Sequence, residues 1–372
     1  MGGEKWCQEP FPGENGGENG VRNLFRPLTC RRGGRTLAPM APSVPILVIT
    51  GQTATGKERL AVAVAERLGG EILSADSMKV YRGMDIGTAK APPDVRRKVP
   101  HHLVDVADPT PGAPAPLGPG FSTARWVELA DAVIADASAR GRAAIVSGGT
   151  ALYLKALLEG LFEGPAADEQ VRARLSAEAE ADGTGALHAR LAEVDPEAAG
   201  RIHPNDLRRI IRALEVWELT GSPISALQTQ WGRRRGRYRP LLVAIRRSPE
   251  DLDRRIEARV GRMVEAGLED EVRRLADRLA TSSRPWRPGG LAPGPRQALG
   301  YAEVLEHLAG RISWDETLEA IRLHTRQFAR AQMKWLRRFE GLVWLDAGPD
   351  APADGLADRV ETLWRRHVVA HE

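Results

Sequence analysis

The chain is poor in cysteine: of its 372 residues only Cys7 and Cys30 are cysteines. Both fall in an N-terminal stretch with no apolar period, so neither a disulfide framework nor a cysteine metal site is expected. No apolar run approaches the roughly 20 residues needed to cross a bilayer. Residues 1–43 also lack the continuous apolar core of a secretory signal. Two acidic clusters argue against a transit peptide, and the Gly, Pro, Asn and Arg content reads as a disordered extension ahead of Met40, the natural start. There is no internal repeat. A cytoplasmic globular protein remains, with 42% hydrophobic and 27% charged residues. The net charge of +4, a pI near 9.2 and clustered arginines point to a polyanionic partner. The length suits two domains, or one core with a large insertion.

The most informative stretch is 44–58, VPILVITGQTATGKE. Val44 to Ile49 reads as a strand buried on both faces. The turn Gly51, Gln52, Thr53, Ala54, Thr55, Gly56, Lys57 fits G-x-x-x-x-G-K. A helix follows, with Leu60, Ala61, Val64, Ala65 and Leu68 on one face and Gly69-Gly70 as its stop. Strand, glycine turn and helix start make a phosphate cradle: backbone N–H groups turn inward, the helix N-terminus adds partial positive charge and Lys57 adds a full one. Such loops usually hold a nucleotide such as ATP. The hydroxyl residue that should follow the lysine and touch Mg²⁺ is here Glu58.

Further along, Glu71 to Ala75 reads as a second strand, which sets Asp76 and Ser77 beside the loop, at the sheet edge where ligands bind. As residue types alone, Asp76 divides evenly between a ligand-side acid and a turn aspartate. The pair His101-His102 lacks further metal ligands nearby and reads as structural. A Pro/Gly-rich surface loop spans 109–120, and a helix capped by Ser122 or Thr123 covers 122–139. Ala143 to Val146 is another buried strand, followed by Gly148-Gly149-Thr150 and a helix, so the Thr150 hydroxyl can reach a ligand on the first loop. From Pro165 to about Leu227 the pattern is helical, with segments at 168–181, 184–193 and 206–219. In an α/β chain this suggests an inserted all-helical domain. Arg208, Arg209 and Arg212 crowd one helix start against its dipole, which suggests that they face an anion. The basic loop 232–239 divides evenly between a solvated run and a binding patch. After a strand at 241–247, helices at 250–265 and 268–280 and a turn-rich loop at 281–296, a helix at about 315–339 carries Arg322, Arg326, Arg330, Lys334 and Arg338 at i+4 spacing. Five cations on one stripe without an interspersed acid are best explained by a phosphate backbone. A last strand covers 341–347.

Five blocks then identify a resemblance: GQTATGK (51–57), GGEILSADSMKVYRGMDIGTAK (69–90), VPHHLVDVADP (99–109), SGGTALYLKALLEGL (147–161) and RIHPNDLRRIIRALEVWELTG (201–221). From about Ile46 to Asp346 the chain resembles the tRNA dimethylallyltransferases, or tRNA isopentenyltransferases. The resemblance implies an α/β fold: a P-loop NTPase-like core with a mainly parallel sheet and an inserted all-helical domain closing on the anticodon stem-loop. The implied layout is an extension 1–43, core 44–162, a tRNA-contacting helical insertion 163–238, core with the basic helix 239–348 and a tail 349–372. The implied reaction transfers a dimethylallyl group from dimethylallyl diphosphate to the exocyclic amine of the adenosine at tRNA position 37, next to the anticodon. By similarity Asp76 is the general base, and Thr150 and Arg172 line the reaction channel. Residues 51–58 grip the diphosphate. Asp76, Ser77, Met78 and Lys79 contact the tRNA, as do Arg208, Arg209, Ile210, Ile211 and Arg212, with Arg326 and Arg330 as additional phosphate contacts. Mg²⁺ is implied, with Glu58 favoured as its ligand because a helix N-terminus suits an acid, and Thr150 as the other donor. A monomer is expected.

The chain departs from that family at Glu58 (for Ser or Thr), at Lys79 and Arg208 (each for glutamine), and in a longer loop at 110–120. Two rivals use the same residues. A small-molecule ATP kinase would use the loop for ATP but leaves residues 69–90 and the basic stripe unexplained. A non-catalytic tRNA-binding protein would explain Glu58 as decay of the loop.

Overall fold

The computed structural model describes residues 43–109, 121–161, 164–228, 236–278, 293–349 and 351–370. The segment with Cys7 and Cys30, the loop 110–120, the first half of the basic loop at 232–239 and most of the loop at 281–296 lie outside the described residues. The first half alternates strand and helix: β1 (Val44–Gly51), α1 (Lys57–Leu68), β2 (Glu71–Ser74), α2 (Pro93–Lys98), β3 (His101–His102), α3 (Thr123–Ala139), β4 (Ala144–Ser147) and α4 (Ala151–Glu159). A helical block follows: α5 (Glu169–Asp182), α6 (Thr184–Val194), α7 (Pro196–Arg201), α8 (Leu207–Thr220) and α9 (Ile224–Leu227). β5 (Tyr238–Arg246) returns the chain to the sheet. It is followed by α10 (Pro249–Glu265), α11 (Leu268–Arg278), α12 (Pro293–Arg296), α13 (Tyr301–Leu308), α14 (Trp314–Leu336), β6 (Val343–Asp346) and α15 (Ala353–Val369).

The strands form one sheet in the order β3-β2-β4-β1-β5-β6, with every pairing parallel. β1 lies inside it, which is why Val44–Ile49 reads as an unbroken apolar run: alternate residues feed two cores. Ile46 and Val48 join Leu73, Val146, Trp126 and Tyr153 on one face. Leu47 and Ile49 join Leu60, Val64, Ile145, Val360 and Trp364 on the other. The ring of Trp126 stacks on Tyr153 at 4.5 Å, and its indole N–H reaches the Ser74 carbonyl at 2.9 Å, so this large core residue leaves no donor unpaired. The helical block has an apolar cluster of its own, built on Leu175, Leu191, Ile210 and Leu214.

Several element ends differ from expectation. β5 starts at Tyr238 rather than 241 because its register begins with Val44 opposite Tyr238. β3 is an unexpected edge strand made of the His101-His102 pair, set against Ile72 and Leu73. Two polar residues carry no strand pattern, and only the neighbouring strand identifies them. The expected caps are present: Ser122 accepts from the Arg125 N–H, and Gly221 ends α8 in the left-handed conformation.

Parallel order brings the C-terminal ends of β1, β2 and β4 side by side. At this edge Gly148 packs on the end of β2. A methyl group there would fall inside van der Waals contact of the Ala75 carbonyl oxygen. Gly148→Ala is therefore expected to destabilise the protein by about 1–3 kcal/mol, as overpacking of a tight contact does. The urea unfolding midpoint checks this; an unchanged midpoint would mean that the two strand ends separate without cost.

Candidate active site

The loop after β1 closes on Gly56, which caps α1 at φ 94°. No side chain caps this helix, so its first N–H groups are left for a ligand. The loop is held from several directions. The Thr55 hydroxyl donates to the Gln52 carbonyl at 2.8 Å. The Gln52 side chain donates to the Ala329 carbonyl at 2.9 Å. Gln332 of α14 accepts from the Thr53 N–H at 2.7 Å and donates to the Gly149 carbonyl at 3.1 Å, so one amide bridges both glycine turns. Arg247 donates to the Thr55 carbonyl at 2.8 Å and pairs with the buried Asp251 at 2.9 Å.

The loop forms the floor of a cleft of about 1450 Å³ whose walls include Lys57, Glu58, Asp76, Lys79 and Arg259. The Lys57 ammonium rests on the Gln52 carbonyl at 3.2 Å. Burial pushes its pKa down to about 8, with Asp76 opposing that shift and Lys79 and Arg259 adding to it. Burial likewise lowers the pKa of Arg259, against the pull of Asp76. Arg259 reaches the Thr53 hydroxyl at 3.4 Å. A cleft that strains its own cations in this way is stabilised by a bound anion.

Asp76 sits where β2 ends. Its Oδ1 accepts from the Met78 and Lys79 N–H groups at 2.9 and 3.3 Å, so it is a turn aspartate and a cleft acid at once. Thr150 is beside it: its Oγ1 accepts from the Ser77 N–H at 3.0 Å, and its own N–H donates to the Ala75 carbonyl at 3.1 Å. Sequence positions 76–77 and 148–150 thus form one corner.

Glu58 and Lys79 meet. The Lys79 ammonium donates to Glu58 Oε2 at 2.8 Å. Lys79 is only 7% exposed, so its side chain turns into the cleft wall rather than outward to RNA. Glu58 thereby has a lysine as its hydrogen-bonded partner.

Other residues selected from the sequence divide. Arg172 is not among the cleft-lining residues. Its guanidinium binds the fully buried Glu215 at 2.8 and 3.0 Å, and Arg212 binds the same carboxylate at 2.7 Å. Burial works to raise the Glu215 pKa, but the bonds from Arg172 and Arg212 outweigh it and hold the group below its ordinary value. Ile210 and Ile211 belong to the apolar cluster of the helical block; burial corrects the expectation that their side chains touch RNA, whereas Arg208 and Arg209 are exposed. The crowded helix start is balanced by the cap Asp206, which pairs with Arg209 at 3.4 Å. The α14 stripe also needs correction, since acids do answer it: Glu319 of the same helix pairs with Arg322 at 3.1 Å, and others come from α10. Arg322 pairs with Glu257 at 2.7 Å, and Arg326 with Asp253 at 3.3 Å. Arg330 is exposed.

Sequence reading missed Arg259 and Gln332. Both lie in ordinary amphipathic helices with no local motif. The one available signal for Gln332 was its place one turn after Phe328 on the face opposite the arginines.

A family model described as IPP transferase matches residues 79–339. Among curated proteins, the tRNA dimethylallyltransferase of Anaeromyxobacter dehalogenans strain 2CP-C is 46% identical over 316 residues, covering 85% of this chain and 99% of that protein. That of Symbiobacterium thermophilum is 46% identical over 310 residues, covering 83% and 91%. Among solved structures, the tRNA isopentenylpyrophosphate transferase of Bacillus halodurans aligns with a TM-score of 0.61 at 35% identity, over 88% of this chain and 97% of that one. A eukaryotic dimethylallyltransferase acting on tRNA aligns with a TM-score of 0.74 at 26% identity, over 89% and 81%.

The lowered Lys57 pKa makes a pH-dependent prediction. A bound anion restores the lysine toward its ordinary value of 10.5. At a pH somewhat above 8, binding of inorganic diphosphate should therefore take up as much as about one proton, and the uptake should vanish as the pH falls well below 8. Titration calorimetry in buffers of different ionisation enthalpy measures it. Equal apparent enthalpies in all buffers above pH 8 would mean that Lys57 does not meet the anion.

Proposed function

Because the chain belongs to the IPP transferase family of tRNA dimethylallyltransferases, we propose that it transfers a dimethylallyl group from dimethylallyl diphosphate to the exocyclic amine of the adenosine at tRNA position 37, releasing diphosphate. The observation that carries this reading is the shared cleft: one carboxylate, Asp76, stands beside a phosphate cradle containing Lys57 and Arg259.

The amine lone pair of adenine is delocalised into the ring, so the nitrogen attacks well only as its proton leaves. As the new C–N bond forms at the allylic carbon, the C–O bond to diphosphate breaks and the electron pair departs with the leaving group. The amine proton passes to Asp76. Asp76 Oδ1 is held by two backbone N–H groups; among the described residues Oδ2 accepts no hydrogen bond and is left for that proton. Charge growing on the diphosphate meets Lys57, Arg259 and the first N–H groups of α1, which are already oriented. Thr150, bonded through Ser77 to the same turn, keeps the acid in register with the cradle.

Mg²⁺ would supply further neutralisation of the leaving group. Among the described residues no group of three His, Cys, Asp or Glu side chains could hold a metal. Glu58 is taken by Lys79, and Thr150 already accepts one hydrogen bond. This donor set would fit an ion brought by the diphosphate, with the Thr150 hydroxyl as a marginal oxygen donor, better than one caged by protein.

For the RNA, the helical block α5–α9 serves as an insertion that closes on the anticodon stem-loop. Exposed Arg208, Arg209 and Arg330 meet phosphates. Arg172 and Arg212, oriented by Glu215, reach the RNA or the channel only from the helical side. Ser77 and Met78, next to Asp76, meet the base, which must leave its stack to enter the cleft. Among the described residues no helix is long and apolar enough to cross a membrane; a cytoplasmic monomer suits a tRNA substrate. The non-catalytic reading leaves the pairing of cradle and acid unused, and the kinase reading leaves residues 69–90 without a role.

Asp76→Asn is the test. Turnover should fall about 10²–10⁴-fold, the usual worth of a general base, while tRNA affinity stays within a few-fold. Single-turnover assays with labelled dimethylallyl diphosphate, beside filter binding of tRNA, separate the two. Wild-type turnover in the variant would reduce Asp76 to its turn role.

A further inference from the structure

The two positions where the cleft departs most from the family pattern, Glu58 and Lys79, are each other's partner at 2.8 Å. They lie 21 residues apart, one in the first turn of α1 and the other in the turn that carries Asp76. Both line the cleft. Glu58 directly follows the cradle lysine, so its carboxylate stands where a bound diphosphate brings several negative charges. Like charges brought close together in a partly buried site repel strongly. Something has to neutralise Glu58.

His101 is the other basic group facing it, with Nε2 at 3.8 Å from Glu58 Oε1. Its Nδ1 lies 2.7 Å from the Val99 carbonyl, and because a carbonyl only accepts, Nδ1 carries the proton. Nε2 is buried and has no hydrogen-bond partner. Burial lowers the pKa of this histidine, so it presents a lone pair rather than a charge. Among the described residues Lys79 is therefore the cation that is hydrogen-bonded to Glu58, while Lys57 and Arg259 act on it only through space. The lysine is firmly fixed in place. Its side chain is buried, its N–H is held by Asp76, and its carbonyl accepts from the Asp105 N–H at 3.2 Å.

We propose that Lys79 is a positioning residue that holds the Glu58 carboxylate away from the diphosphate, so that the pair adds no net charge to the cradle. This rests on the reading above that the cradle binds a diphosphate. It takes Lys79 out of RNA recognition and Glu58 out of metal binding. The ion pair also ties the first turn of α1 to the Asp76 turn, linking cradle and acid directly.

A double-mutant cycle tests it on the full chain: wild type, Lys79→Gln, Glu58→Gln and Glu58→Gln/Lys79→Gln. Binding of inorganic diphosphate is measured by calorimetry in EDTA, then repeated with Mg²⁺. Wild-type binding checks the cradle itself; its absence would overturn both readings. Lys79→Gln is expected to weaken binding about tenfold or more by leaving Glu58 uncompensated. The double variant should return to within about threefold of wild type, and Glu58→Gln alone should bind as tightly as wild type or more tightly. Urea unfolding midpoints are measured for all four proteins: a weakened Lys79→Gln whose midpoint stays at that of the double variant shows repulsion at the cradle, whereas a loss of binding that only follows a lowered midpoint would make the pair structural and overturn the proposal. A double variant as weak as Lys79→Gln would show that Lys79 binds the anion itself or supports the fold, and would overturn the proposal. So would a tenfold loss in Glu58→Gln alone.

Discussion

The site depends on one close approach, that of Gly148 to the end of β2. The Ala75 N–H donates to the Ser147 carbonyl at 2.8 Å, and the Thr150 N–H donates to the Ala75 carbonyl at 3.1 Å. The Gly148 N–H reaches back to Ile49 at 3.2 Å, and the Thr50 hydroxyl donates to the Gly148 carbonyl at 2.8 Å. Through these four bonds three strand ends become one edge. The first strand contributes the cradle, the second the acid and the third the hydroxyl that steadies the acid. None of these elements touches the others in sequence; a parallel sheet brings them together because every strand ends on the same side.

Electrostatics completes what the backbone starts. Lys57, Lys79 and Arg259 crowd a cleft with Glu58 and Asp76. Burial weakens the hold of Lys57 and Arg259 on their protons. These buried cations gain from a bound anion, the role a diphosphate would fill. Gln332 serves a complementary end, since its single amide holds Thr53 and Gly149 together. The long helix α14 is as much a brace for the cradle as a carrier of basic residues.

Much of this was legible from residues alone. The phosphate loop could be read because its glycines, its lysine and its flanking apolar periods are local. The strand ends at Asp76 and Thr150 followed from the same patterns. What could not be read were contacts across the chain. The stripe on α14 looked unopposed because two of its acids, Asp253 and Glu257, sit on α10. Arg172 looked like a channel residue because Glu215 faces it from another helix. Glu58 and Lys79 looked like two separate departures because only the fold sets α1 against the turn after β2. In these cases a charge was visible and its partner was not, since pairing at long range has no period; the local pairs Arg212–Glu215 and Arg322–Glu319, three residues apart, were open to reading.

The central claim is that the cradle holds an allylic diphosphate while Asp76 accepts a proton from an adenosine amine. Nucleoside mass spectrometry tests it most directly. Unmodified tRNA is incubated with the protein and dimethylallyl diphosphate, and in parallel with the protein and ATP. The account predicts dimethylallyladenosine next to the anticodon in the first reaction and an unmodified base in the second. An unmodified adenosine in both, from protein that binds the tRNA, would contradict it.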